Sequence, residues 1–226
     1  MRRLRDEPRR HQFTRPTMTE QQDRFVVRSM EELSAMFGPV GDVSIRKETT
    51  YVTPEYAAMI AASPFVVLAT AGPEGLDVSP RGDPPGFVVV DDEHTLLLPE
   101  RPGNNRIDSL RNLLADSRVA LLFLIPGIGE TLRVVGRAEI SVDPALLERF
   151  AVNGRLPKCV LRISVERVFF QCARAIRRSG LWTAAADGGV PNVPSAGTIL
   201  AAIPGSAIDA ATYDRDLPAR HGATLY

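Results

Sequence analysis

The sequence predicts a mainly β protein, a six- to seven-stranded antiparallel barrel with peripheral helices. Three observations point there. Apolar runs of strand length recur through the middle of the chain. Tight turns rich in Gly, Pro and Asp separate them. Few helical patterns lie between consecutive runs, whereas a doubly wound parallel sheet would need one after every strand. A composition of 44% hydrophobic and 24% charged residues in 226 is that of a globular chain with a sizeable core.

Residues 1–24 are arginine-rich and lack the apolar segment of a secretory signal, so they read as a disordered leader; Met18 offers a more conventional beginning. Residues 25–226 read as a single barrel domain with N-terminal helices and a helical tail. A helix is expected over Met30–Phe37, with Ser29 and Glu32 at capping-box spacing. Thr53-Pro54-Glu55 opens a second through Ala62: Thr caps, Pro suits the first helical position, and Glu suits the dipole.

Strands follow at Phe65–Thr70 and Leu76–Pro80, hinged at Gly72–Gly75. Phe87–Val90 and Thr95–Leu98 flank the turn Asp91–His94, whose paired carboxylates read as solvated. Apolar residues at 107, 110, 113 and 114 predict a helix over Asn105–Ala115. Strands at Arg118–Ile125 and Thr131–Ser141, a helix at Pro144–Val152 and a long strand from Lys158 to Gln171 complete the body. The tail offers helices at Ser195–Ala202 and Ala207–Leu217.

Several classes of function are excluded early. The formal net charge is zero, so nothing global attracts nucleic acid. The longest apolar stretch, Val119–Ile125, is too short to span a bilayer, so no membrane partner is expected. Cys159 and Cys172 lie in an apolar stretch and read as buried reduced thiols, consistent with a cytoplasmic protein. His11, His94 and His221 have no metal-ligand spacing. There is no Gly-x-Ser-x-Gly and no nucleophile constellation, so redox chemistry would have to come from a bound cofactor. Gly127-Ile-Gly129 lies between two strands and reads as a hairpin turn, because a dinucleotide fingerprint must enter a helix.

Two segments carry the candidate site. In Ser79-Pro-Arg81-Gly-Asp83, an arginine ends a strand at a rigid polar corner; it pairs with Asp83 or reaches an anionic ligand. In Leu98-Pro-Glu-Arg101-Pro-Gly-Asn-Asn105-Arg106, Gly and Asn tolerate left-handed backbone at the mouth of a helix. Converging N–H groups, a helix N-terminus and two flanking arginines would hold a phosphate. An ordinary strand-to-helix connection with two solvated arginines is the other reading. A basic segment ending in the single tryptophan, Arg174 to Trp182, is either core edge or a flap over a neighbouring site.

In order, these segments resemble the pyridoxamine 5′-phosphate oxidase-like family, Greek-key split barrels that bind flavin mononucleotide (FMN). The matching run begins Phe65-Val-Val-Leu-Ala-Thr-Ala-Gly, passes through Val78-Ser-Pro-Arg-Gly-Asp and Leu96-Leu-Leu-Pro-Glu-Arg-Pro-Gly-Asn-Asn-Arg, and extends to Phe169-Phe-Gln-Cys-Ala. The likeness is to a bacterial branch rather than to the vitamin-pathway oxidase. It implies a homodimer with FMN at the subunit interface. Arg81 and Ser79 would contact phosphate and ribityl, and the backbone of Leu98 and Pro99 would line the ring edge. Asn105 and Arg106 stand where the family has its basic phosphate pair, and Thr131 where a polar residue meets the ring. Arg178 and Trp182 would approach from the partner subunit. Asp83, Arg101 and Ser109 complete the expected cofactor-binding set. The oxidase's C-terminal substrate signature is not visible after Trp182, so the resemblance does not extend to its substrate. The expectation is an FMN-dependent oxidoreductase acting on a small molecule; the alternative is a non-catalytic flavin- or haem-binding sensor on the same fold.

Overall fold

The computed structural model describes residues 25–183 and 192–226, and the expected leader lies outside them. The chain divides into two units, Met1–Asp42 and Val43–Tyr226. In the first, α1 (Met30–Met36) begins as the capping-box spacing predicts. Ser29 accepts from the Glu32 N–H at 3.1 Å, and the Glu32 carboxylate accepts from the Arg28 N–H at 2.8 Å. None of its residues is buried. A short α2 (Asp42–Arg46) follows, too brief to display an apolar period.

The second unit takes in all of α2 but its first residue, and its next helix is α3 (Pro54–Ala62). Its boundaries are those the sequence predicts, with Thr53 accepting from the Tyr56 N–H at 3.3 Å. Tyr56 and Ile60 face inward from it. Seven strands then build one antiparallel sheet: β1 (Phe65–Gly72), β2 (Gly75–Gly82), β3 (Val89–Asp92), β4 (Thr95–Glu100), β5 (Arg118–Leu124), β6 (Thr131–Ser141) and β7 (Cys159–Gln171). Their order is β2-β1-β5-β6-β7-β4-β3. The mainly antiparallel architecture read from the sequence is the one found, and Gly127-Ile-Gly129 is indeed a turn between β5 and β6.

Alternation explains the core. On β1, β5 and β6, every second residue is buried, among them Val66 and Leu68, Leu121 and Phe123, and Leu132 and Val134. Leu96, Leu98, Leu161 and Ile163 close the same cluster. β4 is covered on both faces: Leu97 packs with Val160 and Phe150 beneath α5 (Pro144–Arg149). The sheet is not closed by hydrogen bonding between β2 and β3, yet it curls until its ends meet. Arg81 near the end of β2 donates to Glu100 at the end of β4, Nε to Oε1 at 2.7 Å.

Several expectations require correction. The helix after the glycine–asparagine loop, α4, runs Asp108–Ala115 rather than from Asn105, because Asn105 is left-handed (φ 57°) and stops the helix extending backwards. Cys159 is buried, but Cys172 is exposed just past the end of β7. Asp91 is paired with Arg149 at 2.6 Å rather than simply solvated. The basic segment before Trp182 contains a helix, α6 (Arg174–Ser179). In the tail, α7 (Ala196–Ala201) is followed by α8 (Ala210–Thr224), which continues through Pro218 instead of ending before it.

Candidate functional site

The site is built on an edge strand. β2 alternates Asp77, Ser79 and Arg81, partly covered, with the exposed Leu76, Val78 and Pro80. The first set faces α4, whose first turn brings in Ser109, almost fully buried. Leu113 of α4 enters the core, and Asn112 donates to Thr70 Oγ1 on β1 at 3.2 Å, so the helix is tied to the sheet.

Four side chains then form an ordered series. Ser109 donates to Asp77 Oδ2 at 2.6 Å. A serine hydroxyl has one proton, so Ser109 must accept at its contact with Ser79, 2.8 Å away. Ser79 therefore donates to Ser109, and its longer approach to Asp77, 3.4 Å, carries no second proton. Arg81 Nη1 donates to Ser79 at 2.8 Å. The direction is thus Arg81 to Ser79 to Ser109 to Asp77, a guanidinium at one end and a carboxylate at the other.

Arg81 is held on its other edge as well. Besides the Glu100 pair, Nη1 donates to its neighbour's carbonyl, Pro80 O, at 3.0 Å. Nη2 makes only a long 3.4 Å approach to Ser109, which leaves donor capacity on that nitrogen. The expected alternative of an Arg81–Asp83 pair does not occur. Asp83 pairs with Arg101 instead, Oδ2 to Nε at 2.7 Å, while Arg101 Nη1 donates to Phe150 O at 2.6 Å. Both exchanges join the two ends of the curled sheet.

Between these supports runs the loop 101–106. Asn104 Oδ1 accepts from the Arg106 N–H at 3.0 Å, and Arg106 Nε donates to Asp108 at 2.9 Å from a largely exposed position. That hydrogen bond holds the Asp108 carboxyl below the ordinary carboxylate range. The N-cap residue Ile107 offers no side-chain acceptor, so the first-turn N–H groups of α4 have no side-chain cap. Together these elements line a cleft of about 460 Å³. Its charged lining comprises Arg81, Arg101, Arg106 and Lys158 against Asp77, Glu100 and Asp108.

Of the residues the sequence singled out, Ser79, Arg81, Pro99, Arg101, Asn105, Arg106 and Ser109 line this one cleft. Asp83 reaches it through Arg101. Leu98 is wholly buried, and Thr131 is buried opposite Gln171 at the start of β6. Trp182 borders a second cavity of about 320 Å³ with Glu130 and Arg177, and donates from Nε1 to Ile128 O at 2.7 Å. Arg178 lines neither cavity. Sequence reasoning missed Asp77, although its two-residue spacing from Ser79 and Arg81 puts it on their face. It also missed Lys158, which carries no signal beyond being one of two lysines and has no ion-pair partner among the described residues.

Residues 52–172, more than half of the chain, match the family model described as pyridoxamine 5′-phosphate oxidase. Among solved structures, HupZ from Group A Streptococcus is 21% identical, over 54% of this chain and 94% of that one, with a TM-score of 0.45. A candidate pyridoxamine 5′-phosphate oxidase from Lactobacillus delbrueckii is 24% identical, over 54% and 95%, with a TM-score of 0.43. An FMN-binding protein from Syntrophomonas wolfei is 12% identical, over 57% and 90%, with a TM-score of 0.41. No curated protein sequence matches the chain.

Proposed function

The chain belongs to the pyridoxamine 5′-phosphate oxidase family, and from that premise we propose that it is an FMN-binding flavoprotein, a cytoplasmic homodimer acting as an oxidoreductase on a small molecule. The observation that carries this reading is the ordered hydrogen-bond series that begins at Arg81 and ends at Asp77, set beside the uncapped start of α4.

The residues fit a phosphate monoester. The cleft volume of about 460 Å³ lies in the range of small-molecule sites, about 300–1,000 Å³. Arg81 offers Nη2, Arg106 offers an exposed guanidinium, and the first turn of α4 offers free N–H groups and the positive end of its dipole. Glu100 and Asp108 each pair with one of these arginines and Asp77 accepts from Ser109, while Lys158 adds a cation with no ion-pair partner among the described residues. Glu100, Ser79 and Pro80 O take up the other guanidinium donors and fix the side chain, so Arg81 would meet a phosphate oxygen through Nη2. When bound, the flavin supplies the hydride chemistry; the chain binds and orients it.

A second copy of the chain is the partner that the outer sheet face fits. Val67 and Ala69 on β1 point away from the core, as do Leu122 and Leu124 on β5. Leu122 lies opposite Val67, and Val78 opposite Ala69, so these residues form one continuous apolar patch, with Leu76 and Val78 among its most exposed members. The patch lies on the reverse of β2, the edge strand that carries Ser79 and Arg81.

The direct test is a flavin titration of the purified chain. Uptake of FMN with quenching of its fluorescence, and NADH or NADPH oxidation above that of free FMN, are the expected results. A chain that neither carries nor takes up FMN sinks the reading. In sedimentation the holo-protein should run as a dimer and Val78→Arg as a monomer; a monomeric wild type removes the dimer.

A further inference from the structure

The loop that lines the cleft is braced by a residue far outside the family-matched segment. Tyr226, which follows α8, donates its hydroxyl to Asp83 Oδ1 at 2.6 Å. Asp83 has a side chain only 3% exposed, and its other oxygen takes the Arg101 Nε proton at 2.7 Å. Its backbone N–H is also spent, on Pro64 O at the entry to β1, 3.1 Å away. The Tyr226 ring lies 5.7 Å from Arg101 Cζ, at the outer reach of a cation–π contact. Arg155 Nη1 meanwhile donates to the main-chain oxygen of Tyr226. The tyrosine is therefore gripped at its backbone and at its hydroxyl, with Arg101 between.

We propose that Tyr226 is a positioning residue for the anion-binding loop, acting through Asp83 and Arg101. Resting on the phosphate reading above, this makes FMN affinity depend on a tail residue that does not itself line the cleft. Arg101 is the first residue after β4, and its guanidinium is fixed at Asp83 and Phe150 O. The direction in which the chain leaves β4 into Pro102–Arg106 follows from that fixation, and with it the approach of Arg106 and the start of α4 to Arg81. A buried carboxylate with two charged or polar donors holds its partners in one geometry; with one donor removed, Arg101 has a choice of geometries. The hydrogen bond to Asp83, with burial and the carboxylate's charge adding to it, also raises the Tyr226 phenol above its ordinary value, so the donor keeps its proton.

The test pairs hydrogen–deuterium exchange across residues 101–107 with FMN titration, on the full chain and on Tyr226→Ala, Tyr226→Phe and Arg155→Ala. Loss of one charged hydrogen bond corresponds at its lower limit to about tenfold. Tyr226→Ala should therefore speed loop exchange and raise the FMN Kd about tenfold each, with exchange in β5 and β6 unchanged. Tyr226→Phe keeps the ring over Arg101 and should fall between. Should Tyr226→Ala not fold, Tyr226→Phe and Arg155→Ala carry the same comparison. Loop exchange in the variants equal to wild type overturns the proposal. The exchange measurement needs no flavin, so a wild type that takes up no FMN refutes the cofactor reading while the brace is still judged by itself.

Discussion

Replacing Arg81 by Ala separates what this arginine does for the fold from what it does for a ligand. The Arg81–Glu100 pair is mostly shielded, with side chains 18% and 12% exposed. Removing one partner of a buried pair costs about 3–5 kcal/mol, chiefly because a charge is stranded. Residual solvent contact brings this pair below that range, to about 2–3 kcal/mol. In a domain of this size each kcal/mol shifts Tm by roughly 2–4 °C, so Arg81→Ala should melt roughly 4–12 °C lower. Its FMN affinity should fall about 10- to 150-fold, the value of a charged hydrogen bond to phosphate. Adding Glu100→Gln removes the stranded charge. The double variant should recover at least about 1 kcal/mol of stability and none of the affinity. Calorimetry and flavin titration on wild type, both single variants and the double complete the cycle. If the double variant regains FMN binding along with its stability, Arg81 acts only through the fold and the phosphate assignment is wrong. If Arg81→Ala binds FMN as wild type does, the same conclusion holds more simply.

Arg106→Ala should show the opposite balance. Its side chain is 78% exposed and paired only with Asp108, so stability should barely change, while FMN binding weakens by about 1.5–3 kcal/mol; unchanged affinity on titration removes Arg106 from the grip. Gly136→Ala should destabilise by about 3 kcal/mol, because its Cβ would lie 2.1 Å from the backbone oxygen of Ser164 at a shift of register between β6 and β7; a urea midpoint equal to wild type would falsify that packing. The two thiols should differ in reactivity: Cys172 should label with a thiol reagent in the native state, and Cys159 only on unfolding. Burial, with the charge of Glu100 adding to it, pushes the Cys159 thiol from 9.0 up to about 11. Because the folded state holds this proton more tightly, its contribution to stability is complete below pH 9.0 and is lost as pH rises through about 11. Denaturation midpoints of wild type and Cys159→Ser should therefore converge across that window, and a constant difference would contradict the shift.

What could be read from the sequence was local, and what could not required the two ends of the sheet to meet. Thr53-Pro54-Glu55 specified a helix start from three neighbouring side chains, and the structure begins α3 there. The β1–β2 and β5–β6 turns were legible for the same reason: glycine marks a bend regardless of what lies across from it. Asn105 shows the limit. The sequence tolerates either helix or left-handed backbone at an asparagine, and α4 starts three residues later because Asn105 takes the second. α6 was missed because Arg-Ala-Ile-Arg-Arg-Ser carries a single large apolar residue and no capping side chain. At the site, Ser79, Arg81 and Ser109 were legible as residues, but their order was not: proton direction needs the 2.6 Å contact to Asp77, which joins positions 32 apart. The exchange of partners is the sharper case. Neighbouring residues suggest Arg81 with Asp83, since they are two apart. The curled sheet brings Glu100 and Arg101 against them, and each arginine takes the acid of the other strand. Two such crossed pairs lock β2 to the end of β4 where no backbone hydrogen bonds do so. A cleft formed across that gap has walls whose separation is set by side chains. Its shape should therefore answer to ion-pair substitutions, such as Glu100→Gln, more readily than the hydrogen-bonded core of β1, β5 and β6 does.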